Sequence, residues 1–181
     1  MCDEIVKLAL DCGADHAAIL PIDKVILDVM FRDICQSNAC GNYGLCYMCP
    51  PDAGDIRVMI KAVHTYSNAM IYQTIRRLED SFDYEGMLEA GTQHAAISQK
   101  LEGGLHTIKL LRYLHLSVGG CKVCDVCAKR ESLPCRYPDL AMPSLESYGV
   151  DVYRTAQNAG LGYNNGQNSV TYFGMVLLAE V

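Results

Sequence analysis

The chain predicts a fold of the α/β or α+β class, a small mixed sheet packed with helices that carries two cysteine-rich cluster-binding loops. Three observations predict it. Short apolar runs alternate with segments of helical periodicity. Gly and Pro punctuate the boundaries between them. Eight of the ten cysteines gather in two Gly- and Pro-marked stretches, Cys35, Cys40, Cys46 and Cys49 in the first and Cys121, Cys124, Cys127 and Cys135 in the second.

In chain order, residues 3–12 read as a short helix with Ile5, Val6, Leu8 and Ala9 on its buried side and Gly13 as its stop. Ala17–Leu20 reads as a first strand closed by Pro21, and Val25–Phe31 has strand-like composition without a deciding period. The Cys49-Pro50-Pro51 ending of the first cysteine loop excludes regular helix or central strand, because proline lacks an N–H and restricts the residue before it. Asp55 is placed to open a helix whose Ile56, Met59, Ile60 and Val63 share one face, and Ala69–Ile75 reads as a buried strand. A helical pattern then runs from about Tyr84 to Leu116 along a stripe of Ala90, Ile97, Leu101, Leu105, Ile108 and Leu111, with Gly103-Gly104 as a point of division. Beyond the second loop, Ser144 and Asp151 are candidate N-caps and Gly160 a candidate C-cap for short helices across 145–159. Asn164–Gly166 is a turn and Val170–Leu178 the last strand. With no internal repeat and no low-complexity linker, residues 1–181 are expected to form one domain with cluster loops at 35–51 and 120–138.

A chain of 181 residues can bury a core without disulfides, so the cysteines need another explanation. The start MCDEIVKLALDC lacks the basic and long apolar regions of a secretory signal, which points to the cytosol, where clustered thiols bind metal or do redox chemistry. No apolar run approaches the roughly 18 to 20 residues of a membrane span. A formal charge of −6 argues against nucleic acid as a partner. Paired carboxylates, a phosphate-binding glycine loop after a strand and a serine nucleophile motif are absent.

The C-x-x-C-x-x-C spacing of Cys121, Cys124 and Cys127 is the one ferredoxins use to wrap a [4Fe–4S] cube. Zinc sites more often pair separated knuckles or mix in histidine, and no histidine lies between residues 116 and 181. Cys135 follows at a wider gap, after Pro134, so it either closes this centre or crosses to the other. In the first loop only Cys46 and Cys49 have knuckle spacing, while Gly41 and Gly44 allow backbone amides to approach sulfur. Four thiolates saturate a cube; three leave one iron open, and that separates electron carrier from enzyme. Tyr43 and Tyr47, beside the first quartet, either shield a cluster from water, the commoner role, or face a substrate. Lys122, Lys129, Arg130 and Arg136 form either a solvated counter-charge or a docking patch. Cys2 and Cys12 read as small hydrophobes, and His16, His64, His94, His106 and His115 as packing residues.

The pattern of Cys35, Cys40, Tyr43, Gly44, Cys49, Pro50 and Pro51, joined to Gly120, Cys121, Cys124, Cys127, Cys135, Arg136 and Pro138, resembles the family of predicted metal-binding proteins called domain of unknown function 2284. Residues 144–152 (SLESYGVDV) and Leu101-Glu102 look like it too. The resemblance implies metal or iron–sulfur binding, and Cys46 departs from its pattern. The resulting expectation is two [4Fe–4S] clusters, one per quartet, moving electrons in anaerobic redox metabolism with a redox partner protein. A redox enzyme using an open-site cluster on a sulfur-containing or other small molecule, and a structural zinc adaptor, are the alternatives. Self-association is left open.

Overall fold

Strands β2 (Asn68–Arg77) and β4 (Ser169–Leu178) are apolar on both faces, and this places them at the centre of the sheet rather than at its rim. The computed structural model describes residues 2–108, 110 and 112–179. Its four strands, with β1 (His16–Pro21) and β3 (Tyr113–Leu116) at the edges, run in the order β1-β2-β4-β3 and pair antiparallel throughout. The expected small sheet packed with helices is therefore present.

Alternation of side chains along the strands builds two cores. On one face Met70 and Tyr72 of β2 and Val176 and Leu178 of β4 meet Ile5 and Ala9 of α1 (Cys2–Cys12) and Leu101 and Leu105 of α4 (Tyr84–Leu105). On the other, Ala69 and Ile71 of β2 and Phe173, Met175 and Leu177 of β4 pack with Val63 of α3 (Ile56–Val63) and Ala156 of α5 (Val152–Asn158). A further short helix, α2 (Phe31–Gln36), precedes α3. Two of the N-caps read from sequence are real: Asp55 accepts from the N–H groups of Arg57 and Val58, and Asp151 from that of Arg154, whereas Ser144 precedes only a 3-10 turn, Glu146–Tyr148, and accepts from the Ser147 N–H. On α1, Val6 and Leu8 are only half-buried, and Cys12 completes the buried stripe.

Three expectations change. The long helical pattern ends at Leu105, with Gly103 and Gly104 inside its last turn, and residues 113–116 are a strand. Pairing with Met175–Leu178 decides this, since it puts Leu114 and Leu116 on one core and Tyr113 and His115 on the opposite face. Leu111 lies outside the described residues. Val25–Phe31 makes a single bridge, Leu27 to Val150, instead of a strand.

Gly174 faces Tyr72 across β2 and β4, and a methyl group there would overlap the tyrosine ring and hydroxyl. Only glycine leaves room for Tyr72 to cross that position. Among the described residues, no helix is long and apolar enough to cross a membrane.

Candidate metal centre

Both cysteine stretches leave regular elements at one end of the sheet. The first begins on α2, which carries Cys35, and runs to the cap of α3. The second leaves β3 at Ser117 and returns at Ser144, where the two serines form a parallel bridge. The loops hold each other: the Tyr47 hydroxyl donates to the Leu133 carbonyl at 2.8 Å, Lys129 pairs with Asp52 at 2.6 Å, and Arg130 donates to the Gly41 carbonyl at 2.9 Å. Arg136 stays inside the second loop, bonded to the Cys124 side chain, the Val126 carbonyl and Glu131. Two of the four cations in this region, Lys129 and Arg130, thus tie the two loops together.

The eight cysteines divide three and five. Cys35, Cys40 and Cys49 line a cavity of about 290 Å³ whose wall includes Ile34, Tyr43, Pro50, Val118 and Glu146. Cys46, Cys121, Cys124, Cys127 and Cys135 line a smaller space of about 20 Å³. Cys46 stays joined to its own loop, through a turn closed by the Cys49 N–H on the Cys46 carbonyl at 3.0 Å, yet its sulfur opens towards the second loop.

The electrostatics follow that placement. A hydrogen bond from the Cys49 thiol draws the Cys46 thiol well down; burial opposes it, and the backbone N–H groups of Met48 and Cys121 and the Cys127 thiol add to it. The same bond, with burial, pushes Cys49 up. Burial raises Cys35, with Arg32 opposing and Glu146 and Cys40 reinforcing. Burial also raises Cys121 and the Glu146 carboxyl.

A family model described as "Predicted metal-binding protein (DUF2284)" matches residues 18–178. The chain belongs to that family. Neither the curated proteins nor the solved structures contain a match to it.

The donor chemistry of this DUF2284 protein fits a thiolate-held metal: sulfur ligands select zinc or iron–sulfur centres over oxygen-seeking ions. Among the described residues no three Cys, His, Asp or Glu side chains converge on one ion-sized point; the thiols ring cavities instead. The first cavity, at about 290 Å³, is the roomier of the two. The space in the second is that of about one water, so a cluster there requires the second loop to part outward.

Other residues singled out from sequence have definite places. Tyr43 lines the first cavity and Tyr47 the second. Cys12 is in the α1 core, away from both loops. His94 and His115 are buried on the face covered by α4, where both contact Tyr72. Sequence reasoning missed Glu146, which reaches the first cavity through the Ser117–Ser144 bridge; its only signal was the family-like stretch around it. It also missed the hydrogen-bonded pairing of Glu102 with His115 at 2.8 Å, because residue 115 was read as helical.

Proposed function

We propose that the protein is an iron–sulfur redox protein with two adjacent thiolate-held clusters, one closed and passing electrons, the other open to a small molecule. The observation that carries this reading is the three-to-five division of the cysteines. Three thiols leave one corner of a cube without a protein ligand, and those three line the roomier cavity. The ferredoxin spacing of Cys121, Cys124 and Cys127, with Cys46 and Cys135 both at hand for the remaining corner, suits the closed centre.

When bound, such clusters supply one-electron transfer and, at an iron lacking a protein thiolate, a Lewis-acidic position. The chain's own residues do the rest. Ile34, Ala39, Pro50 and Val118 give the cavity an apolar wall that favours a small, weakly hydrated molecule. Glu146 provides a carboxyl whose burial favours the protonated, hydrogen-bond-donating form at that wall. The backbone N–H groups of Met48 and Cys121, aimed at the Cys46 sulfur, stabilise negative charge between the two sites.

Anaerobic purification followed by iron, acid-labile sulfide and zinc analysis tests the reading. Iron with matching sulfide is expected, and cyanide or a small thiol should alter the electron paramagnetic resonance signal of one cluster only. Zinc in stoichiometric amount without sulfide would sink it. Zinc in the second site is the competing reading, favoured by the small space among its five thiols; zinc found beside iron and sulfide in the same protein would support it.

A further inference from the structure

Beneath α4 five polar side chains join in an unbroken chain. Glu102 Oε2 lies 2.8 Å from His115 Nδ1, and His115 Nε2 lies 2.8 Å from the Tyr72 hydroxyl. That hydroxyl is 2.7 Å from Ser98 Oγ, which is 3.0 Å from Ser117 Oγ. Tyr72, Ser98, His115 and Ser117 are all buried. The two ends border separate spaces that share Met142 in their walls. Glu102 and His115 border an open cleft of about 270 Å³. Ser117 lines, with Cys121, a space of about 10 Å³, enough for about one water.

Burying so many polar groups is costly, and apolar residues would hold helix to sheet as well. The sheet also gives up a side chain at Gly174 to admit the Tyr72 hydroxyl. The donors are ordered rather than merely satisfied. Each hydroxyl has one proton: Ser117 donates to Ser98, the setting that points towards Glu102, and the opposite setting needs the Ser98 and Ser117 hydroxyls to turn over. Ser98 has an alternative acceptor as well, the His94 carbonyl at 3.0 Å, which allows its hydroxyl to turn between settings.

We propose that this chain is a proton path from the Glu102 cleft to the wall of the second cysteine site, supplying the protons that accompany electron uptake there. The delivery role rests on the redox reading above; the path itself does not. In one passage each group gives up one proton as it takes another, so one proton enters at Glu102, one leaves Ser117 for a water in the space it shares with Cys121, and the settings interchange. The electron comes separately, from a one-electron donor protein. Charged and titratable groups flank the chain at both ends: Tyr113 and His106 contact Glu102, Asp139 lines the same cleft, His94 stacks on Tyr72 with ring centroids 5.4 Å apart, Cys12 lies near that ring, and Cys121 and Lys122 line the space beside Ser117.

Two measurements test it. In metal-free protein with labelled tyrosine, nuclear magnetic resonance in mixed H₂O and D₂O gives the exchange rate of the Tyr72 hydroxyl proton. A conducting path exchanges it far faster than global unfolding allows, and Glu102→Gln and Ser117→Ala each slow it at least tenfold while the fold is kept. Exchange no faster than unfolding in the wild type would overturn the path, since a purely structural network holds its proton until the fold opens. In iron-loaded protein, stopped-flow reduction with a pH indicator should show a proton taken up with the electron. Tyr72→Phe should take the electron at the same rate and the proton at least tenfold more slowly. Equal proton uptake in Tyr72→Phe, or none in the wild type, would overturn the delivery role. Absence of iron and sulfide would overturn the redox reading and with it the delivery role, leaving the exchange measurement to decide the path.

Discussion

Acidification should weaken the fold through His94. This imidazole is fully buried, stacks on Tyr72, and bonds through Nδ1 to the Thr74 hydroxyl at 2.8 Å. Burial first, and then the nearby His115 and Arg76, hold its pKa down from 6.5 to about 4. The native protein therefore keeps His94 neutral over a range in which the unfolded chain takes a proton. The contribution is fully present above the unfolded value of 6.5, is lost as pH falls towards about 4, and levels off below that. A difference of some two and a half pH units corresponds to about 3 kcal/mol. Urea unfolding of metal-free, reduced protein at pH 7.5 and pH 4.5, compared with His94→Gln, isolates this term because carboxylate effects are common to both. The wild type should lose about 2 to 3 kcal/mol more than the variant over that interval. Parallel losses in the two proteins would refute the reasoning.

Four further outcomes are expected. Gly174→Ala should destabilise the protein by about 1 to 3 kcal/mol, as overpacking does, and Tyr72→Phe added to it should recover part of the loss in the same urea assay. Cys40→Ser should remove about half of the iron and leave the second cluster's paramagnetic signal intact, since the first site has no spare thiol. Cys46→Ala should alter the signal that survives in Cys40→Ser and spare the other; the reverse pattern would return Cys46 to the first centre. Lys129→Ala, which cuts a tie to Asp52, should leave the melting temperature nearly unchanged and speed metal removal by a chelator, because the bond joins loop to loop and not core to core.

What could be read in advance was what local chemistry decides. Asp55 and Asp151 cap because a carboxylate before an apolar period satisfies free N–H groups, and β2 and β4 were visible as apolar runs too continuous for a solvent-facing strand. Partners far along the chain decided the rest. Tyr113–Leu116 offers four residues of alternation directly after a genuine helix, and β4, some sixty residues later, makes it a strand. Cys46 sits three residues from Cys49 and touches it, and no spacing rule says which cavity wall a thiol will line. Glu146 enters the first site only because the chain comes back beside Ser117.

Neither hydrophobic core contains any of the eight loop cysteines. The scaffold is thus complete without its cargo, unlike small zinc domains, for which metal binding is the folding energy. If the loops carry iron and sulfide, insertion is a late step performed on a finished acceptor, and oxygen can strip the centres while leaving that acceptor whole. Repair then means refilling a pair of loops rather than remaking a protein.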